Sequence, residues 1–179
     1  MGFEEKPEQP KSENASLGIY VISRTLLINL LEQAIPEGKY DLVKDIIIRF
    51  IPTLKIYGYE YNGYWNSVGA GTAAYFAANM DFLNKEVRDH FVSEYPYIAT
   101  KPKDEPPAKF NRGADVKDTI TGSGSIFDGK VEHCVVFRKV RVGVGAVVKN
   151  SILMEGVQIG EGCVVENAIL DKDVVLAAG

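Results

Sequence analysis

The 179-residue sequence predicts an α/β unit followed by an all-β unit, a triangular parallel β-helix. Three observations predict it. Between residues 16 and 84, helically spaced leucines alternate with short β-branched and tyrosine-rich runs. A proline-rich stretch then breaks the pattern, and beyond it the chain repeats itself every 17 residues.

The first half takes its elements in order. The run LGIYVIS (Leu17 to Ser23) is short, apolar and β-branched, which predicts a buried strand. Ser23 is placed to cap a helix carrying Leu26, Leu27, Leu30 and Leu31, which the Pro36–Gly38 region ends. A second helix is expected over Asp41 to Phe50, with apolar residues all round and so well covered, stopped by Pro52. LKIYGYEYNGYW (Leu54 to Trp65) alternates like strands or a hairpin. Gly69 and Gly71 then lead into a helix over about Thr72 to Leu83. Pro96, Pro102, Pro106 and Pro107 forbid a helix, so an extended linker is expected there. The expected domains are therefore 1–94, a linker over 95–115, and a β-helix over 116–179.

Three segments align at a constant offset of 17: SIFDGKVEHCVVFRKVR from Ser125, VGVGAVVKNSILMEGVQ from Val142, and IGEGCVVENAILDKDVV from Ile159. Each divides into six, six and five residues, at Ser125, Val131 and Phe137; at Val142, Val148 and Met154; and at Ile159, Val165 and Asp171. One aliphatic and one small residue per hexad suits a three-faced coil, the aliphatic pointing inward and the small residue easing the corner. Val131, Val142, Val148, Ile159 and Val165 are predicted to fill the prism, with coils stacked at strand spacing. Further shared slots hold Gly129, Ala146 and Cys163; Cys134, Ser151 and Ala168; Val135, Ile152 and Ile169; and Val140, Val157 and Val174. His133 shares its slot with Asn150 and Asn167, residue types that tolerate tight corners. Periodicity does not fix the handedness.

Composition excludes several classes of function. Twenty-four acidic against twenty basic residues give a net charge of −4, which argues against nucleic-acid binding by bulk charge. No apolar run approaches a membrane span, and MGFEEKPEQPKSEN lacks a secretory apolar region. With two cysteines, in different slots two coils apart, a reduced cytoplasmic setting without a disulfide is expected. No His/Cys cluster has metal-ligand spacing.

FEEKP (Phe3 to Pro7), SLGIYVIS (Ser16 to Ser23), YDLVKDII (Tyr40 to Ile47) and GYWNSVG (Gly63 to Gly69) occur in an order that resembles the later catalytic motifs of bacterial glucose-1-phosphate adenylyltransferase, or ADP-glucose pyrophosphorylase. AANMDFL, KDEPPAKF and ILDKDV extend the likeness, which is greatest to the D-type regulatory subunit of Gram-positive bacteria. The resemblance implies the later part of a Rossmann-like nucleotidyltransferase domain joined to a left-handed β-helix of hexapeptide repeats. It implies a role in joining glucose 1-phosphate to ATP, giving ADP-glucose and pyrophosphate for glycogen synthesis. The family's glycine-rich nucleotide loop, GGxGxRL in form, does not occur here. The chain thus reads as a C-terminal fragment, incomplete also after Gly179, inactive alone, and prone to self-associate through unpaired sheet edges.

The resemblance also implies site residues. Lys6 matches a lysine that contacts the sugar phosphate, as a point charge suited to it. Glu5, Ser16 and Asp41 match sugar-site positions, although Ser16 also suits a strand start and Asp41 a helix cap. Catalytic relatives carry YWxDVG, whose aspartate helps hold Mg²⁺; here the motif reads YWNSVG, with Ser67 at the metal position. A neutral hydroxyl lacks that carboxylate's attraction for a dication. Leu42 stands where catalytic relatives commonly carry Phe. Arg138, Lys139 and Arg141 form a basic group that suits either an anionic effector or a solvated face. The resemblance therefore implies a catalytically degenerate regulatory subunit, with no cofactor of its own, partnered by a Mg²⁺-dependent catalytic subunit in a homo- or hetero-oligomer. An active subunit tolerating Ser67 is the alternative. A hexapeptide acyltransferase, with His133 as its catalytic candidate, is a third reading.

Overall fold

The computed structural model describes Phe3, Glu4, 7–93 and 99–179. It divides into two compact units, Met1–Tyr61 and Asn62–Gly179. The division falls earlier in the chain than the proline-rich linker.

In the first unit the regular structure among the described residues is helical. Helix α1 spans Arg24–Ala34, continues into a 3-10 turn at Ile35–Glu37, and ends on Gly38 at φ 72°. A π-helical segment, Leu42–Ile48, follows. Leu30, Ala34 and Ile46 make a small core, with Leu26, Leu31, Phe50 and Leu54 against it. Two expectations fail here. Leu17 to Ser23 pairs with no strand among the described residues, and Ile19 and Val21 are exposed. Leu54 to Trp65 likewise forms no hairpin. A β-rich pattern yields a strand only where another strand satisfies its backbone, and among the described residues these runs have none beside them. The second helix is also less covered than its composition predicts, since Leu42 is exposed.

The second unit opens with helices α2 (Thr72–Met80) and α3 (Lys85–Val92), with a 3-10 turn, Asp81–Leu83, between them. Gly71 enters α2 at φ 116° and ψ −179°, a conformation open essentially to glycine alone. The β-solenoid follows, every pairing parallel. One sheet stacks β1 (Lys109–Phe110), β3 (Ile126–Phe127), β5 (Arg141–Val142), β7 (Gln158–Ile159) and β10 (Val175–Leu176). The other stacks β2 (Asp115–Thr121), β4 (Lys130–Val136) and β6 (Val147–Leu153), continued by β8 (Val164–Glu166) and β9 (Ile169–Leu170). Each long strand bends halfway, at Asp118, His133 and Asn150, with φ of 43°, 54° and 42°. Those bends turn two sheets into three faces, as a hexapeptide β-helix requires.

All five predicted inward residues are buried, from Val131 and Val148 at 0% to Val165 at 6% exposure. Two details of the repeat differ. Phe127, not Ser125, is in register with Val142, because the corner from Phe127 to Lys130 is two residues shorter than its equivalent in the next coil. A Cβ on Gly129 in that corner would lie 2.5 Å from the Ala146 carbonyl oxygen, so the shortcut needs glycine. On the third face the inward positions are Val136 and Leu153, whereas Phe137 and Asp171 point outward.

The slot shared by Val135, Ile152 and Ile169 has a different purpose. With Ile120 it forms a ladder across neighbouring strands, and Val135 and Ile152 are buried yet stand outside the prism core. The Asp81–Leu83 turn packs on β2 and β4, and α2 on β4, covering that outer face. The expected linker also contributes: Lys109–Phe110 pairs with Ile126–Phe127, and the Phe110 ring stacks on Phe127 at 5.2 Å.

Candidate functional site

Glu5 and Lys6, two of the expected sugar-phosphate ligands, lie outside the described residues. Ser16 and Asp41 are each engaged locally. Ser16 Oγ accepts from the Gly18 amide at 3.2 Å and lies 3.3 Å from the Tyr20 hydroxyl. Asp41 caps its helix, Oδ1 accepting from Val43 N at 2.9 Å and Lys44 N at 2.8 Å, while its own amide donates to Asp45 Oδ2. The position of Asp41 is fixed from both sides of the Gly38 turn. Arg49 donates through both terminal nitrogens to Glu37 at 3.0 Å each, and Lys39 adds a third bond at 2.5 Å. The Arg49 bonds, then that from Lys39, hold the Glu37 carboxyl down at about 2.

The YWNSVG segment is held by one carboxylate. The Tyr64 hydroxyl donates to Asp81 Oδ2 at 2.7 Å, and Asn66 Nδ2 donates to the same oxygen at 3.1 Å. The Tyr64 ring meets Phe91 edge-on at 5.7 Å, and burial raises its phenol above the usual range. Trp65 and Ser67 are exposed, and Ser67 opens the short turn Val68–Ala70 without a capping bond from its hydroxyl. Asn66 and Ser67 bring no charge to a cation, and the nearby carboxylate already serves two donors. This donor set does not fit Mg²⁺, a hard ion that takes anionic oxygens. Among the described residues no group of three or more His, Cys, Asp or Glu could hold a metal.

The basic group is not one free surface. Arg138 lies 3.4 Å from Glu155, Lys139 lies 2.8 Å from Glu105, and Arg141 belongs to the following strand, β5. His133 sits at a left-handed corner with Nδ1 2.5 Å from Asp118 Oδ2. Sequence reasoning missed Asp81 and Glu105. Their signal lies in contacts across 15 or more residues, as Asn66–Asp81 shows, which no local pattern carries.

Comparison with known families matches residues 1–85 to the nucleotidyl transferase family and 106–179 to the GlmU-like C-terminal hexapeptide family. Fold and matches together define a nucleotidyl transferase region joined to a hexapeptide-repeat solenoid. The chain is 40% identical to the glucose-1-phosphate adenylyltransferase of Clostridium perfringens strain SM101, over 85% of this chain and 40% of that protein. It is 38% identical to that of Geobacillus stearothermophilus, over 82% of this chain and 38% of the relative. For that of Bacillus cereus strain ATCC 14579 the identity is 33%, over 85% and 41%. Over the matched region the chain is therefore similar to glucose-1-phosphate adenylyltransferases, and it spans about two-fifths of the length of the curated relatives it matches. No helix among the described residues is long and apolar enough to cross a membrane.

Proposed function

We propose that this chain is part of a regulatory, catalytically degenerate subunit of glucose-1-phosphate adenylyltransferase, acting in the cytoplasm in glycogen synthesis. The observation that carries the reading is the uncharged pair Asn66–Ser67, with the Asn66 amide committed to Asp81. A subunit without an anionic ligand there does not hold the Mg²⁺ that screens the triphosphate. Its contribution is to assemble with a Mg²⁺-dependent catalytic subunit and alter that partner's rate or effector response. A sugar phosphate binds weakly through Lys6, with Glu5, Ser16 and Asp41 as the other ligands that the family resemblance implies. No sequence of the glycine-rich nucleotide-loop form occurs in these 179 residues, so the chain alone makes no ADP-glucose.

The test is to assay the full-length parent, alone and with its catalytic subunit, for ADP-glucose formation. The expected result is no turnover alone and a changed rate in the mixture; robust Mg²⁺-dependent turnover alone overturns the reading. Ser67→Asp in the parent should strengthen Mg²⁺-dependent binding of nucleotide and sugar phosphate together. Glucose 1-phosphate titrations of wild type and Lys6→Ala that coincide would remove Lys6 from the site.

A further inference from the structure

We infer that residues 103–108 are an ionic clasp laid across three successive coil corners, which opens as ionic strength rises and then lengthens the joint leading into the solenoid. This inference is independent of the proposed function. The Gly124 amide donates to the Pro106 carbonyl at 2.5 Å. Glu105 Oε1 lies 2.8 Å from Lys139 Nζ, and Lys103 Nζ lies 3.8 Å from Glu155 Oε1. Gly124, Lys139 and Gly156, which follows Glu155, all have left-handed φ, at 72°, 59° and 79°. The corner amides are joined coil to coil, Lys139 N to Ser123 O at 3.1 Å and Gly156 N to Arg138 O at 3.0 Å. The strap therefore crosses one coil at Pro106, the next at Glu105 and the third at Lys103.

Apart from the single Gly124–Pro106 backbone bond, charge holds it there. Glu155 is shared between Lys103 and Arg138, so cation and carboxylate alternate along the corner. The Glu105, Glu155 and Arg138 side chains are 19%, 27% and 32% exposed, which partly shelters them from screening. The Glu105 carboxylate raises the Lys139 ammonium above its usual range. Pro102, Pro106 and Pro107 keep the strap extended when released, so little conformational entropy is lost on closing. At one end it is fixed by β1. Opening from Ala108 back to Lys103 frees six residues, about 20 Å of extended chain.

The test uses the whole chain. Hydrogen exchange at the Gly124 amide and tryptic cleavage at Lys103–Asp104, read by mass spectrometry, are followed from low salt to about 1 M sodium chloride. Both should accelerate about tenfold, while exchange of Val148 in the centre of β6 stays constant. Glu105→Gln should bring the same acceleration at low salt. Glu105→Lys should open the clasp, and adding Lys139→Glu should close it again. Rates at Gly124 that ignore both salt and Glu105→Gln, or a charge swap that restores nothing, would overturn the inference.

Discussion

Asp118 Oδ2 lies 2.5 Å from His133 Nδ1, and both residues occupy left-handed positions on successive coils. The ladder continues at the same corner, where Asn150 Nδ2 donates to Asn167 Oδ1 at 2.5 Å. Asp, His and Asn bear a positive φ more readily than other side chains, and here each also bonds to the coil next to it. The structure thus gives His133 a task in turning and stacking the chain.

His133→Asn should leave thermal stability within a few tenths of a kcal/mol, since Asn already fills two equivalent corners. His133→Val should cost about 1–2 kcal/mol, because β-branching disfavours that backbone. Chemical denaturation of the two variants checks the contrast. Equal stabilities would show that the corner does not constrain its residue.

Leu153 and Ile152 are neighbours in sequence and both 0% exposed, yet they should respond differently to truncation. Leu153→Ala opens a cavity inside the prism and should cost about 2–5 kcal/mol of solenoid stability. Ile152→Ala removes part of the outer ladder beside Val135 of β4, the strand on which α2 and the Asp81–Leu83 turn pack. Amide exchange should accelerate in residues 72–83 while the strands keep their protection.

The two free cysteines should differ in reactivity. Cys134 is buried between coils, and that burial pushes its thiol up to about 11. Being raised, it contributes stability below its unfolded value that is lost as pH rises through about 11. Cys163 is half-buried, its Sγ facing the Ala177 carbonyl at 2.8 Å. A thiol-reactive chromophore at pH 8 should label one site quickly and the second on unfolding, with Cys163 identified by peptide mapping.

Glu37 governs acid behaviour in the first unit. Its carboxyl is lowered to about 2 by Arg49 and Lys39, so its contribution is complete above the ordinary carboxylate value of 4.5. That contribution is lost as pH falls from 4.5 towards 2. Arg49→Met should return the Glu37 titration towards the ordinary value, followed by carboxyl chemical shifts. An unmoved titration would mean that the contact does not persist in solution.

The solenoid was legible because each coil states its own rule: Val131, Val148 and Val165 meet in space because they recur in sequence. Ser125 misled because a constant offset of 17 hides a corner two residues short. The outer ladder of Val135, Ile152 and Ile169 was visible as a slot, but its purpose depends on helical segments far upstream in the chain, Thr72–Met80 and Asp81–Leu83. Ile19 and Tyr57 show the opposite limit. Alternation marks residues able to pair, and pairing needs a second strand that a local pattern cannot supply. At the YWNSVG motif the missing charge of Ser67 was readable, whereas the tether from Asn66 to Asp81 was not.

The shortened Phe127–Lys130 corner has a consequence for how this domain accommodates changes of length. Two residues are missing, yet the pairings on either side, Ile126 with Arg141 and Lys130 with Val147, remain in phase. Indels at a corner are absorbed where they occur, while a one-residue indel within a face would turn the inward side chains beyond it outward. The stack therefore behaves like a modular column: whole 17-residue courses can be inserted between Val142 and Ile159 or removed, and trimming is confined to the bends. A chain carrying one duplicated course should fold as a taller column with the same cross-section.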